Sequence, residues 1–235
     1  MTPPRQLAFD LGHQPALARQ DFVVSDSNRA AFDAACDPQL APTGRLVLTG
    51  PAGAGKTHLA VIWTHAAEAR LIDAEDLSDD AVQTLIDGAA LAIDNIDRLI
   101  GHAAGEDLLF HALNLSRAHN ARLFLTGRTA PSRWSVAKPD LASRLAALPH
   151  LAIGAPDDSL LSKIFDKLLL DRQISATPDT IRFLLPRMER SVSAVRRIVD
   201  ALDRIALAEK RPITRAMART VYETDPDVIC GTGDV

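Results

Sequence analysis

With 235 residues, of which 47% are hydrophobic and 24% charged, the chain suits one large domain, or one domain with a smaller companion. Its net charge of −4 argues against a surface that binds nucleic acid over its whole extent. Two cysteines without metal-type spacing (Cys36 and Cys230), no apolar run near the about 18 residues of a membrane span, and no signal-peptide pattern favour a reduced, cytoplasmic protein over a secreted or membrane protein.

The first predicted element is a short strand-like peptide, RQLAFDLGH, within a flexible tail predicted over residues 1–19. Leu7, Phe9 and Leu11 alternate with other residues, and Gln6 precedes them. Alternation of this kind is typical of an extended segment with one apolar face. Two interpretations stay open: the peptide packs as a strand on its own domain, or it binds a partner.

Next in the chain come five short apolar or β-branched runs with little polar alternation, as expected for strands buried on both faces. They are RLVLTG, ARLIDA, ALAIDN, ARLFLTG and HLAIGA, at residues 45–50, 69–74, 90–95, 121–127 and 150–155. Stretches with helical spacing lie between them. Strand and helix in alternation predict a parallel sheet covered by helices, so we expect a five-stranded α/β core over residues 20–155.

After Pro156 the pattern becomes purely helical, which predicts a small all-helical second domain over residues 156–223, followed by a C-terminal tail at 224–235. The predicted helices cover residues 157–172, 177–188, 191–208 and 212–222. Between Arg172 and Tyr222 eleven basic residues face five acidic ones. This excess indicates either a solvated basic helical face, or arginines that contact a nucleotide, a partner or DNA.

The strongest motif is GPAGAGKT at residues 50–57, which fits the phosphate-loop pattern G-x-x-x-x-G-K-[ST] at every position. It follows a predicted strand and begins a predicted helix, where glycines let successive N–H groups point toward an anion. We expect Lys56 to reach the terminal phosphates and Thr57 to bind Mg²⁺. The other predicted nucleotide contacts are Gly50, Pro51, Gly53, Ala54 and Gly55. A purely structural glycine turn is the alternative interpretation.

A carboxylate at the end of a neighbouring buried strand is the second part of such a site, and LAIDNID supplies Asp94. The alternative is a strand-ending acid without a special role. Many enzymes of this type place a glutamate at the next position to orient the attacking water, but here Asn95 follows. Because an amide cannot take a proton, we expect weak ATP turnover by this chain alone. Asp97 is a conceivable substitute, although it lies outside the strand register.

These motifs, together with other stretches over roughly residues 20–222, resemble the AAA+ ATPases and, within them, the DnaA initiator family. FVVSDSNRAAFDAA resembles the segment that leads into the family's core, with Ser25 where glycine is usual. By that resemblance Asn28 borders an adenine pocket, and His58 in GKTHLA continues the phosphate loop as in the initiators. The resemblance implies an AAA+ P-loop NTPase fold with a helical lid, and ADP or ATP with Mg²⁺ as ligands.

Three more stretches carry functional residues by the same resemblance. LFLTG resembles the strand of the first sensor, which implies Thr126 near the γ-phosphate. PDLASRL resembles the segment that presents an arginine finger to a neighbouring subunit, here Arg144, and SAVRRIVDALDR resembles the lid helix with the second sensor, here Arg196. Arg197 leaves that assignment open by one residue. Arg128 departs from the small or acidic residue that relatives carry, and ordinary strand or surface roles are the alternatives for these residues.

The tail peptide gains an interpretation from this resemblance. QLAFDL is similar to the hexapeptide by which many proteins bind the bacterial sliding clamp, with Gln6 at the pocket rim and Leu7, Phe9 and Leu11 as apolar anchors. Asp10 replaces the usual proline or aromatic residue. An initiator also carries a DNA-reading domain after its lid, whereas only thirteen residues follow Tyr222 here, so we expect no direct sequence-specific DNA binding.

The resemblance to the initiator family, combined with the clamp-binding-like peptide and the expected lack of a DNA-reading domain, implies a negative regulator of replication initiation. It would dock on the sliding clamp, the β subunit of DNA polymerase III, and stimulate ATP hydrolysis by the DnaA initiator in trans through Arg144. One rival is a helicase-loader-type or DNA-dependent ATPase that acts through its own turnover, and another is an adaptor without finger chemistry. Self-association into a homodimer and the choice between ADP and ATP stay open, and no membrane partner is expected.

Overall fold

The computed structural model describes residues 17–209 and 212–224, and a parallel sheet forms its centre. The five strands lie in the spatial order β2-β3-β4-β1-β5, and every neighbouring pair is parallel. They are β1 Arg45–Thr49, β2 Arg70–Asp73, β3 Leu91–Asp94, β4 Leu123–Gly127 and β5 His150–Ala152. The predicted α/β class is confirmed. β5 is shorter than the run predicted at 150–155, because its pairing with β1 ends at Ala152.

Helices cover both faces of the sheet and then continue alone. The core contains α1 Arg29–Cys36, α2 Lys56–Ala67, α3 Asp79–Gln83, α4 Ala103–Ala118 and α5 Pro139–Ala146. The lid contains α6 Asp158–Asp171, α7 Pro178–Leu184, α8 Val192–Glu209 and α9 Arg215–Thr224. Two of these helices differ from their predicted bounds of 177–188 and 212–222. α7 gives way to a 3-10 turn that contains Pro186, which cannot donate an α-helical hydrogen bond, and α9 begins only after Ile213 has bridged to Ala176.

Alternation along the strands explains how one sheet builds two hydrophobic layers. Ile93 and Leu125 point to the face that α3, α4 and α5 cover, whereas Ala92 and Phe124 point to the face of α1 and α2. Phe124 stacks there on Trp63, with ring centroids 5.2 Å apart. Successive side chains of a strand alternate between faces, so these nearly uniform apolar runs are buried on both sides. The lid has a separate apolar cluster of its own.

The strand register brings the polar ends of β1, β3 and β4 to one edge of the sheet. Leu48 pairs with Thr126, and Ile93 pairs with Leu125, so Asp94 lies beside Thr126. Ligands of open α/β sheets bind outside the carboxyl ends of the strands, so a ligand site is expected at this edge. Within the described residues no helix is both long and apolar enough to cross a membrane. The predicted clamp-binding peptide at residues 6–11 lies outside the described residues.

Candidate functional site

The phosphate-loop sequence forms the turn between β1 and α2. Gly53 and Gly55 adopt φ angles of 69° and 96°, in the left-handed region that favours glycine. A Cβ on Gly53 would also lie 2.7 Å from the Cβ of Ser191 and the Oγ of Ser193 in the lid. Glycine is therefore required at residue 53 both by the backbone conformation and by the lid that packs against it.

Lys56 is buried at the start of α2, with its ammonium group turned toward the loop. Its Nζ donates hydrogen bonds to the carbonyl oxygens of Gly50 and Pro51, at 2.8 and 2.9 Å. Burial lowers the pKa of Lys56, while the carboxylates of Asp94 and Asp97 act in the opposite direction. The side chain is thus a positive charge that the loop holds beside the carboxyl ends of the strands.

Two polar side chains from separate parts of the sequence, those of Thr57 and Thr126, meet at the carboxylate of Asp94. Thr57 Oγ1 donates to Asp94 Oδ2 at 2.7 Å, and the hydroxyl of the fully buried Thr126 donates to Asp94 Oδ1. The hydroxyl of Thr126 also accepts the backbone N–H of Asn95, at 3.0 Å. A hydroxyl and a carboxylate in contact are hard oxygen ligands, which fit Mg²⁺ when phosphate oxygens and waters complete its shell. No cluster of three His, Cys, Asp or Glu side chains among the described residues could hold a metal by itself.

Asn95 directly follows β3, as predicted, but its side chain is hydrogen-bonded to a residue that the sequence did not indicate. Its Nδ2 donates to Asp73 Oδ2 at 2.7 Å, and its backbone has a φ of 60°. Asp73 in turn lies 3.5 Å from a guanidinium nitrogen of Arg98, which also reaches Glu75 at 2.9 Å. The register of β2 and β3 places Asp73 beside Asp94. The amide group of Asn95 is therefore fixed by an acidic neighbour as well as being unable to take a proton.

Residues 17–28, which we call the leading segment, come before α1 and are anchored on α2, the helix that follows the phosphate loop. Asn28 is 3% exposed; its Oδ1 accepts the N–H of Ser25 at 2.8 Å and its Nδ2 donates to Val23 O at 3.0 Å. Nε2 of His58 lies 2.9 Å from the carbonyl oxygen of Ala18, and burial lowers the pKa of this imidazole. Asn28 and His58 thus line the cavity, and their polar atoms hold the leading segment in place.

A cavity of about 380 Å³ lies between the phosphate loop, the leading segment and the lid. This volume is within the range of about 300–1,000 Å³ that is usual for small-ligand pockets. Polar groups of Lys56, Thr57 and Asn95 line it together with apolar side chains such as Phe22 and Ile164. A positively charged polar part next to an apolar part suits a ligand with an anionic chain and a flat base.

The lid touches the phosphate loop directly and brings Arg196, for which the sequence predicted the role of second sensor, to the cavity. The backbone N–H of Val192 donates to Gly53 O at 3.0 Å. Arg196 lines the cavity, and burial lowers the pKa of its guanidinium. Arg197 is absent from the lining and lies 3.1 Å from Glu189, so the cavity favours Arg196 for the sensor assignment that the sequence left open by one residue.

A second lid contact was not indicated by any sequence signal. Nζ of Lys167 donates to Asp21 Oδ1 at 3.0 Å and to Asp171 Oδ2 at 3.1 Å. The pKa of Lys167 is raised, chiefly by its hydrogen bond to Asp21. Because Asp21 belongs to the leading segment and Lys167 to α6, this ion pair joins the two sides of the cavity.

Arg144, the predicted arginine finger, lies apart from this cavity. It belongs to α5, is absent from the cavity lining, and its guanidinium carbon lies 5.0 Å from the ring centroid of Phe110 on α4. No carboxylate of the described residues lies within salt-bridge distance of it. An arginine supported by an aromatic ring and without an acidic partner is available to an anion outside this subunit.

Glu106 is a functional candidate that sequence reasoning missed, since a single helical glutamate carries no motif. It is completely buried on α4. Its carboxylate accepts the backbone N–H groups of Gly101 at 3.0 Å, Ala137 at 3.0 and 3.1 Å, and Lys138 at 3.2 Å. Burial raises the pKa of Glu106, but these hydrogen bonds and the Lys138 ammonium outweigh burial and lower it overall. Glu106 thus fastens the start of α5, the helix that bears Arg144.

We expect Glu106→Gln to lower the free energy of unfolding near neutral pH by about 1–3 kcal/mol, because the new amide group would face a backbone N–H. The folded pKa of Glu106 lies below its ordinary value of 4.5. Its contribution is therefore present above 4.5 and is lost as the pH falls through the folded value. Urea unfolding at several pH values should show the difference between wild type and variant shrinking below pH 4.5.

Asp107→Asn is the matched control, since it removes the adjacent, exposed carboxylate of the same helix, which pairs with Lys138. A surface ion pair contributes about 0–1 kcal/mol. If the two variants lose the same stability, or if the loss from Glu106→Gln does not change with pH, the buried carboxylate does not hold the start of α5 in the way described.

The lid and the chain as a whole are each similar to known proteins. Residues 164–221 match the family described as Hda, lid domain. The chain is similar to the chromosomal replication initiator protein DnaA of Clavibacter sepedonicus, with 23% identity over 231 residues that cover 89% of this chain and 48% of that protein. The chain therefore spans about half the length of the curated relatives that it matches.

Solved structures share the fold over most of the chain. Domain III of DnaA from Thermotoga maritima has a TM-score of 0.78 at 19% identity, and the match covers 92% of this chain and 98% of that one. AMPPCP-bound DnaA from Aquifex aeolicus has a TM-score of 0.70 at 19% identity, and the match covers 91% of this chain and 71% of that one. The shared fold is an α/β core followed by a helical lid.

Proposed function

We propose that this chain, a DnaA-related AAA+ protein with an Hda-like lid, is a negative regulator of replication initiation that stimulates ATP hydrolysis by the DnaA initiator in trans. The observation that carries the proposal is Arg144, whose guanidinium rests on Phe110 away from the chain's own cavity. An arginine in that position would serve a nucleotide in a neighbouring subunit rather than the one in the chain's own cavity.

The cavity itself would hold ADP or ATP. The phosphate loop, the position of Lys56 and the fold shared with AMPPCP-bound DnaA support adenine-nucleotide binding. Thr57 and Asp94 would hold Mg²⁺, whose positive charge supports the binding of the terminal phosphates. Asn28, His58 and Arg196 would border the nucleotide on the leading segment and the lid.

The tethered amide of Asn95 supports a regulator over a motor. Its Nδ2 is engaged by Asp73 at 2.7 Å, and no amide can act as the general base for an attacking water. We therefore expect weak intrinsic ATP turnover, in which nucleotide chiefly sets the angle between core and lid. The rival, a helicase-loader-type ATPase, would need robust turnover by this same site.

In trans, Arg144 would supply what the partner's own site lacks. The transferred phosphoryl group spreads negative charge over its equatorial oxygens, and a guanidinium placed beside them stabilises that charge more than it stabilises the ground state. Arg144 is suited to this step because its charge is permanent and its planar fork matches phosphate oxygens. Phe110 and Glu106 would hold the side chain and its helix in place before the partner arrives.

The tail peptide would bring the protein to newly replicated DNA in the cytoplasm. In this proposal Gln6, Leu7, Phe9 and Leu11 bind the sliding clamp, and the AAA+ core then meets ATP-bound initiator. Attachment to the clamp raises the local concentration of the regulator where initiator must be inactivated. The residues concerned lie outside the described part of the chain, so their role depends on the sequence pattern alone.

The test is a reconstitution with purified initiator, clamp loaded on DNA, and the full chain. We expect wild-type protein to accelerate hydrolysis of initiator-bound ATP, and the triple variant Gln6→Ala, Leu7→Ala, Phe9→Ala to lose clamp binding and most of this acceleration. Arg5→Ala is the matched control in the same tail, and should leave both nearly unchanged. Failure of wild-type protein to accelerate hydrolysis, combined with strong DNA-stimulated turnover of its own, would favour the loader-type rival.

A further inference from the structure

Arg128 is a second positive charge, besides Lys56, at the phosphate end of the cavity, and no motif assigned a role to it. It directly follows β4, the strand whose Thr126 contacts Asp94. Its side chain is exposed and lines the cavity together with Lys56 and Asn95. The position is thus defined by the same sheet edge as the rest of the phosphate site.

The backbone at Arg128 is fixed, whereas its guanidinium is left available. Asp97 Oδ2 accepts the backbone N–H of Arg128 at 2.6 Å, which holds the start of the loop that follows β4. No carboxylate of the described residues lies within salt-bridge distance of the Arg128 guanidinium. Arg98, at the same edge of the sheet, contacts both Asp73 and Glu75, whereas Arg128 lines the cavity.

Lys56 and Arg128 line the same cavity with their positive charges. Burial lowers the pKa of Lys56, and the charge of Arg128 acts in the same direction to a smaller extent. Asp94 and Asp97 offset part of this repulsion, but Asp94 accepts the hydroxyls of Thr57 and Thr126. Two cations that face the same space with this partial compensation create a favourable position for a phosphate group.

We propose that the guanidinium of Arg128 binds the terminal phosphate of a nucleoside triphosphate and so makes this site prefer the triphosphate to the diphosphate. This inference rests on the nucleotide binding proposed above, and it requires neither the clamp nor the initiator. It also names the residue that would make the lid and core respond to the state of the bound nucleotide.

The position of Arg128 along the phosphate chain is the reason for choosing the terminal group. The loop N–H groups surround the inner phosphates at the start of α2, and Lys56 extends from there toward the terminal ones, whereas Asn95 and Arg128 follow the ends of β3 and β4. A diphosphate would be held by the loop and Lys56 without Arg128. A triphosphate extends one phosphate further toward the strand ends, where the guanidinium can bind two of its oxygens.

The test is calorimetric titration of the full chain with Mg·AMPPCP and, separately, with Mg·ADP. We expect Arg128→Ala to weaken AMPPCP binding by about tenfold or more, as expected for loss of one charge-assisted contact, and to change ADP binding by less than about threefold. Arg128→Lys should lie between, because it keeps the charge but loses the planar fork. Arg133→Ala, an exposed arginine outside the cavity lining, should leave both affinities nearly unchanged.

Each other outcome has a distinct meaning. An equal loss for both nucleotides, a loss as large in Arg133→Ala, or no loss in Arg128→Ala would overturn the assignment of Arg128. If wild-type protein binds neither nucleotide, the proposed nucleotide site itself fails and the inference fails with it. If nucleotide binds as expected but the initiator is not stimulated, the role in trans fails while the assignment of Arg128 stands.

Discussion

Arg144→Ala should lower the stimulated rate of the initiator's ATP hydrolysis by at least about a hundredfold. The variant's own nucleotide binding and stability should be almost unchanged. An arginine finger contributes about 10³–10⁵ in rate in related phosphoryl-transfer systems, so even an imperfectly placed one has a large effect. The separation of the two properties follows from the structure, because Arg144 is absent from the lining of the chain's own cavity.

The small expected change in stability also follows from the contacts of Arg144. Its guanidinium lies over the ring of Phe110 at 5.0 Å and has no acidic partner among the described residues. An exposed cation–π contact contributes about 0.5–1 kcal/mol. Loss of activity in Arg144→Ala therefore cannot be ascribed to unfolding, as a comparison of urea midpoints would verify.

The decisive measurement is single-turnover hydrolysis of ATP on the initiator, at saturating regulator. Arg144→Lys should recover little of the rate, since an ammonium lacks the planar fork, and Phe110→Leu should lower the rate partially by removing the support of the side chain. Arg133→Ala serves as the exposed-arginine control. Wild-type rates in Arg144→Ala would leave only the adaptor interpretation, in which the chain recruits initiator without chemistry.

The sequence predicted the local structure of the site correctly where a run of consecutive residues determines it. The glycines of residues 50–57 determine their own turn, and the apolar run around Ile93 and the following Asp94 identify a buried strand with a polar end. Their meeting at one edge could also be foreseen, because parallel strands place their carboxyl ends together. The contact of Thr57 with Asp94 at 2.7 Å is a direct consequence.

The rest of the site depends on pairs that are distant in sequence and have no local signal. Asn95 contacts Asp73 only because β2 lies next to β3 in the sheet, an order that the runs of apolar residues do not specify. Glu106 contacts Ala137 because the loop before α5 returns to α4. Such contacts are determined by tertiary packing. From the residue type alone, polar residues such as Asn95 and Glu106 would both be predicted to lie on the surface.

Lys56→Ala should weaken binding of Mg·AMPPCP and Mg·ADP alike, by about a hundredfold or more. The ammonium would make charge-assisted hydrogen bonds to two phosphates, at about 1.5–3 kcal/mol each, and each 1.4 kcal/mol corresponds to about tenfold in affinity. This pattern differs from that expected for Arg128→Ala, which affects the triphosphate selectively. Calorimetric titration of both variants with both nucleotides distinguishes a general phosphate contact from a terminal one.

Stability should respond far less than affinity to Lys56→Ala. The variant loses two hydrogen bonds to the carbonyls of Gly50 and Pro51, but it also removes a buried charge whose pKa is lowered by desolvation, and these effects oppose each other. Lys163→Ala, an exposed lysine on the lid helix α6, is the control for the loss of one positive charge. If Lys56→Ala binds both nucleotides like wild type, the glycine-rich turn is structural, and regulation in trans would have to proceed without a bound nucleotide.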